Sequence, residues 1–363
     1  MAGFEEQPET RGKFQPEMQR ITGSFQSLFA SFDYERVDEV AITSGVDPTV
    51  RFIGAPISVM KPLFLEKRVP QPGAFMVQNC VRTSNIQKLF EFETTPVYGS
   101  FFTAMGALVP YERLTGIFSE TNTFLTDSVG IDADNLYISL HEADDDLHAA
   151  ALRAGTIRVQ PNTMHDGYYR HGYGEDGVRG RNISYWLQNT STGQYEDVGN
   201  IIVIESDEGE LGVELALGDT TLIKQAEGLA HILDAYDIKM VPPNTPEPLK
   251  RRFEDVVITA MALCREDIRP GSHNNQTRIL RTYMKAASLY RRLAQLGVTD
   301  MFDRLSRLEV GVLPFNAVGV SEQFVNWVQR YEHALETKGP SNKEDHIIVS
   351  LIGQCAIRGR VES

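Results

Sequence analysis

Three short runs, ISYWLQ (Ile183–Gln188), NIIVIE (Asn200–Glu205) and LGVELAL (Leu211–Leu217), alternate in the strand manner and are separated by the turn-rich segments Thr190–Gly193 and Ser206–Gly209. Connections this short join antiparallel neighbours, because a parallel return needs a dozen or more residues. The stretch therefore predicts an antiparallel sheet. Upstream, Phe14–Phe32 places Met18, Ile21, Phe25, Leu28 and Phe29 at a helical period. Strands are expected at Glu39–Thr43, Ala74–Val81 and Leu136–Leu140, and helices at Tyr111–Leu125 and Ala143–Ala154. Downstream, Pro242, Pro243, Pro246 and Pro248 break the pattern. Beyond them Leu249–Arg265, Asn275–Leu296, Ser321–Glu336 and Lys343–Arg358 all read as helix. The expected fold is α+β: residues 1–244 form an antiparallel sheet flanked by helices, and residues 245–363 form an all-helical domain.

Composition agrees with two domains. The 363 residues are 42% hydrophobic and 23% charged, which is enough apolar material for a sizeable core. No run of about 18 apolar residues is present, and Met1–Lys13 is polar, so a soluble cytoplasmic protein is expected. Cys80, Cys264 and Cys355 are isolated and odd in number, which leaves neither a disulfide framework nor a CxxC zinc pair. The net charge of −14 is unevenly spread: from Glu247 onward there are 17 Lys+Arg against 14 Asp+Glu, and before it 18 against 35. A polyanion is therefore expected to engage the C-terminal part.

Several collinear stretches carry a resemblance. DPTVRF (Asp47–Phe52) continues through Ala55 and Lys61 to Phe64 and Leu65, and VQNCVR (Val77–Arg82) follows. Phe101-Phe102 with Met105-Gly106, YISLHEADDD (Tyr137–Asp146), GEDGVRG (Gly174–Gly180), Asn200-Ile-Ile, Gly218-Asp219-Thr220 and Tyr236-Asp237-Ile238 come next. In order and spacing this series resembles the catalytic core of the alanyl-tRNA synthetase family, a class II aminoacyl-tRNA synthetase. Asp267-Ile-Arg-Pro270, Asn275 and Arg278-Ile-Leu-Arg281 are similar to the helical domain through which those synthetases hold the tRNA acceptor stem. The His/Cys zinc pattern of the family's editing domain does not occur in this sequence.

The resemblance implies roles for particular residues. Arg82 falls at the first arginine of motif 2, where a guanidinium fork meets the α-phosphate. Asp219 falls at the carboxylate that pairs with the substrate ammonium, and Asn200 at a polar residue lining the same pocket. Tyr168, Tyr169 and His171 lie in a region that closes over the substrate. The family implies ATP and Mg²⁺ as cofactors, yet three of its phosphate-handling positions are altered. The motif 2 Arg-His pair falls on Val97 and Tyr98, and the motif 3 arginine on Gln225, with Lys224 as the nearest substitute. Loss of a buried charged partner to phosphate costs about 2 to 5 kcal/mol, so weak or absent ATP activation is expected.

Plainer roles stand beside these. Arg82 also suits an ion pair with Glu91 or Glu93, and Asp219 suits a helix N-cap before the apolar run Leu222–Leu233. Asn200 suits the polar start of a strand. His165, Asp166, His171, Glu175 and Asp176 match no standard zinc spacing and read as a loop, so no structural metal is expected. On the helix that starts at Asn275, Arg278, Arg281 and Lys285 recur at i, i+3 and i+7 and share one face, either a solvated stripe or an acceptor-stem contact.

Three functions follow. The preferred one is an alanyl-tRNA synthetase-like protein that binds a small, alanine-like amino acid or its tRNA ester as an aminoacyl-transfer or accessory component. The alternatives are an active ATP-dependent ligase for a small amino acid and a non-catalytic regulatory or binding paralogue.

Overall fold

The computed structural model describes residues 13–91, 93–155, 157–162, 166–311 and 319–361. The chain forms two compact units: Pro16–Val81 with Phe102–Ala235, and Arg82–Phe101 with the chain from Tyr236 onward. The segment Arg82–Phe101 thus belongs with the C-terminal helices.

In the first unit the described residues form one sheet. Its strands are β1 (Glu35–Arg36), β2 (Ala74–Val81), β3 (Phe101–Val109), β4 (Leu136–His141), β5 (Arg158–Asn162), β6 (Arg170–Gly172), β7 (Arg179–Gln188), β8 (Tyr195–Ser206) and β9 (Gly209–Gly218). Their order is β1-β2-β3-β9-β8-β7-β4-β5, with β6 also on β7. The centre is antiparallel, as the short turns require, and β1/β2 and β4/β5 are parallel pairs. The β7–β8 hairpin runs further than the apolar alternation suggests because its polar end is cross-linked: Arg179 and Arg181 each donate to Glu205, at 2.9 and 3.0 Å.

Helix α1 (Gln15–Ser31) buries Met18, Ile21, Phe25 and Phe29, the helical stripe read from the sequence. Phe25 packs edge-on to Phe75 of β2 and to Phe124, with ring centroids 6.4 and 5.3 Å apart. The expected strand Glu39–Thr43 does not form. The Gln78 side chain takes both the N–H and the C=O of Val40, at 3.0 and 2.9 Å, and so replaces a strand ladder there. The expected helix Tyr111–Leu125 is divided into a 3₁₀ turn (Tyr111–Arg113), α3 (Leu114–Thr123) and a π turn (Phe124–Ser128). Helices α2 (Pro56–Leu65), α4 (Asp145–Ala154) and α5 (Asp219–Ala226) complete the unit.

The second unit is helical: α6 (Glu247–Arg265), α7 (Asn275–Leu293), α8 (Val298–Gly311), α9 (Val320–Lys338) and α10 (Lys343–Val361). Helix α8 went unrecognised in the sequence. Asn274 caps α7 reciprocally with Thr277. Segment 82–101 is tied to α6 and α7: the Ser100 N–H and hydroxyl both donate to Asp255, at 2.6 and 2.9 Å, and the Tyr290 hydroxyl donates to the Leu89 carbonyl. Burial pushes the Asp255 carboxyl up to about 6, against those two hydrogen bonds and Arg252. No helix among the described residues is long and apolar enough to cross a membrane.

Candidate functional site

The sheet register puts a row of small and polar residues on one face of the first unit. Ser139 of β4 stands opposite Ser184 of β7, Ser184 opposite Asn200 of β8, Asn200 opposite Ala216 of β9, and Ala216 opposite Gly106 of β3. The next row on the same face runs Tyr137, Trp186, Asp197. Asp197 and Asn200 are three apart, so a regular strand would direct them to opposite faces. A β-bulge between Tyr185 and Trp186 in the β7/β8 register brings Asp197 opposite Trp186 while Asn200 remains opposite Ser184. One extra residue thus turns both side chains to one face.

Asn200, Ser184, Asp197 and Tyr168 meet there. Asn200 Nδ2 donates to Ser184 Oγ at 2.8 Å, to the Ile183 carbonyl at 3.3 Å and to Asp197 Oδ2 at 3.3 Å. The Tyr168 hydroxyl donates to the same Asp197 oxygen at 3.0 Å, and the Gly199 N–H to Asp197 Oδ1 at 2.9 Å. The Tyr168 ring stacks over Trp186, with centroids 6.3 Å apart, and Trp186 stacks on Tyr137 at 5.9 Å. Pro56, the first residue of α2, closes the Gly106 end of the row, since a Cβ on Gly106 would lie 2.5 Å from it. Burial raises the Asp197 carboxyl above its ordinary range, although Ser184, Tyr168, Asn200 and the Gly199 N–H all stabilise the ionised form.

Asp219 belongs to a second polar chain. It is the first residue of α5, with Gly218 in the N-cap position, and is 1% exposed. Its Oδ1 accepts from the N–H groups of Thr220 and Thr103, at 2.6 and 3.2 Å. Thr103 Oγ1 donates to Asn79, and Asn79 Nδ2 donates to Glu39, at 3.0 and 2.7 Å. Burial pushes Asp219 up to about 7, against its backbone hydrogen bonds. No cation among the described residues pairs with Asp197 or Asp219.

The remaining sequence candidates are spread out. Tyr169 is fully buried and donates to Ser139 at 2.9 Å, so it lines the core. His171 lies on β6 opposite Gly180. Lys224 is ion-paired with Glu196. Gln225 is fully buried, and neither polar atom of its amide has a partner among the described residues.

Within the second unit, Arg82 is exposed and its N–H donates to the Ser100 carbonyl at 2.9 Å. Val97 is 86% exposed, and the Tyr98 hydroxyl accepts from Arg252 at 2.5 Å. On α7, Asn275 and Arg278 are exposed and hydrogen-bonded to each other, and Arg281 is partly exposed. Lys285 departs from the stripe: it is 3% exposed, sits 2.9 Å from both Glu344 and Asp345, and donates to Asn342 at 3.0 Å. Its charge is spent on the start of α10. Of the loop cluster first weighed as a metal site, His165 lies outside the described residues. Among those described, no group of three or more His, Cys, Asp or Glu is placed to hold a metal.

Sequence reasoning missed Asp197, Ser184 and Trp186. The signal available was the alternation Ser184, Trp186 facing Asn200 on the adjoining strand; the bulge that brings in Asp197 leaves no such mark.

A mostly antiparallel sheet flanked by helices, with a helical C-terminal region and a polar site on one sheet face, is the class of protein that the fold and site define. The chain is a distant homologue of alanine–tRNA ligases. It is 28% identical to that of Natranaerobius thermophilus over 37% of this chain and 16% of the relative. It is 27% identical to that of Rubrobacter xylanophilus over 34% and 14%, and 22% identical to that of Tropheryma whipplei over 78% and 36%. The chain therefore spans about a third of these curated relatives' length or less. No family model matches it. Among solved structures, it overlaps apo histidyl-tRNA synthetase of S. aureus at a TM-score of 0.42 and 8% identity, covering 66% of this chain and 77% of the other. The RNA-binding domain of threonyl-tRNA synthetase from Cryptosporidium parvum gives 0.36 and 13%, covering 66% and 70%.

Proposed function

We propose that this chain is an alanyl-tRNA synthetase-like protein that binds a small amino acid, or its ester on tRNA, and acts in aminoacyl transfer or as an accessory component without making the adenylate. The observation that carries this reading is an imbalance of charge. The amino-acid side offers a carboxylate, Asp197, with no cation beside it among the described residues. A half-buried carboxylate in that state gains from an arriving ammonium. Of the positions where the family neutralises phosphate, Arg82 is kept, but three others carry an exposed apolar Val97, a Tyr98 hydroxyl occupied by Arg252, and an uncharged Gln225. Lys224, the nearest substitute, is already paired with Glu196. The residues present do not fit a bound triphosphate with its Mg²⁺, so no step is assigned to either. Arg278, which is exposed, and Arg281, which is partly exposed, are the cations this reading assigns to an acceptor stem.

The test is ATP–pyrophosphate exchange with alanine, glycine and serine, with and without tRNA, alongside binding of alanyl-tRNA. Silence in exchange together with retention of the aminoacyl-tRNA is the expected result. Robust alanine-dependent exchange would make the chain an ATP-dependent ligase instead. Binding of neither amino acid nor RNA would leave a regulatory paralogue.

A further inference from the structure

We infer that Asp197 and Asn200, not Asp219, hold the α-amino group of the bound amino acid. This rests on the amino-acid-binding reading above and departs from the position that resemblance assigns.

Access separates the two carboxylates. Asp197, Asn200, Tyr168 and Trp186 are all partly exposed, whereas Asp219 is 1% exposed beneath the start of α5. Asp219 also has structural work: one oxygen gathers the N–H groups of Thr103 on β3 and Thr220 on α5, joining strand to helix.

Donor and acceptor chemistry then picks the ligand. Asn200 faces the Ile183 carbonyl and Asp197 Oδ2, at 3.3 Å each. Both are acceptors, so the amide nitrogen must point at them. This orientation leaves Asn200 Oδ1 as an acceptor, and no hydrogen bond to it is made by the described residues. Asp197 and Asn200 together therefore present a carboxylate and an amide oxygen that lack a matching cationic donor. A primary ammonium brings three N–H groups and one positive charge. A small ligand is favoured because Pro56 closes the row at Gly106. An acylated amine offers a single N–H and no charge, so this arrangement selects free amino acids and aminoacyl esters over N-acylated ones.

Isothermal titration of the full chain with L-alanine, L-alaninamide and N-acetyl-L-alanine tests the assignment. Alanine and alaninamide are expected to bind, and N-acetylalanine to bind at least about tenfold more weakly. Asp197→Asn should weaken alanine binding at least about tenfold, and Asn200→Leu should do the same with the charge intact. Asp219→Asn should leave it within about threefold. A loss confined to Asp219→Asn, or an equal loss in Asp197→Asn and Asp219→Asn, overturns the assignment while the amino-acid reading stands. Failure of the unmodified chain to bind any of the three removes that reading and the assignment with it.

Discussion

The Tyr168 hydroxyl donates to Asp197 across 3.0 Å, bridging 29 positions of sequence from a 3₁₀ turn to a bulged strand. Its ring meanwhile rests on Trp186. Tyr168→Phe keeps the stacking and removes the donor, leaving a half-buried carboxylate with one partner fewer. Stability should fall by about 1 kcal/mol, read from the midpoint of urea unfolding. An unchanged midpoint would mean that this hydrogen bond is not formed in solution.

Asp219 makes a separate prediction about pH. Its pKa is near 3.9 in an unfolded chain and about 7 when folded. Between those values the folded state holds a proton that the unfolded state has released, so its contribution to stability falls as pH rises through that window. Asn at this position retains the acceptor for Thr103 and Thr220 and does not titrate. The stability of Asp219→Asn relative to the unmodified chain should therefore increase by on the order of 4 kcal/mol between pH 4 and pH 8. Denaturant unfolding of both proteins at the two pH values measures the difference, in which the other titrating groups cancel. A difference that is flat with pH would show that Asp219 is not buried as an isolated carboxylate.

How much of this was legible in the sequence varied with the interaction involved. Strands β7, β8 and β9 announced themselves because alternation and short turns are local. Helix α1 did so because its apolar stripe is periodic. The absence of a strand at Glu39–Thr43 was invisible, since it depends on Gln78 reaching Val40 across 38 positions. Asn200 and Asp219 were found through resemblance, but Asp197 was not: a spacing of three in a strand argues against a shared face until the bulge is known. Tyr169 looked like its neighbour Tyr168, and only the packed structure sends one into the core and the other over the site.

Lys61 ties two segments of the sheet unit together. It is 3% exposed and lies 3.0 Å from Asp47 and 3.1 Å from Glu175, and it donates to the Tyr173 carbonyl at 2.7 Å. It thereby fastens the glycine-rich loop after β6 to the segment preceding α2. Lys61→Met strands Asp47, which is 3% exposed, as an uncompensated buried charge, and should cost about 3 to 5 kcal/mol. Glu175→Gln, at a side chain 36% exposed, should cost less than about 1 kcal/mol. Thermal unfolding of the two variants checks the contrast, and equal losses would refute the anchoring role.

The basic stripe on α7 ends where another helix begins to cover it. Seven residues is nearly two helical turns, so Lys285 does share a face with Arg278. That face is open at Arg278 but buried at Lys285 by the start of α10, where Asn342, Glu344 and Asp345 take all the cation can offer. Hydrogen bonds from Lys285 and Ser341 hold Asp345 down at about 2, although burial by itself would raise it. Its stabilising contribution is therefore present above the unfolded value and lost as pH falls toward 2. Two kinds of lysine and arginine variant should then behave differently. Arg278→Glu with Arg281→Glu should abolish tRNA retention in a filter-binding assay while the melting temperature stays within about 2 °C, because neither charge is buried. Lys285→Ala should lower the melting temperature by several degrees, a loss of about 3 kcal/mol from the broken buried pair, whatever it does to RNA. If Arg278→Glu with Arg281→Glu retains tRNA, the stripe is a solvated face and the acceptor-stem proposal fails. If Lys285→Ala melts like the unmodified chain, α10 is not docked there in solution.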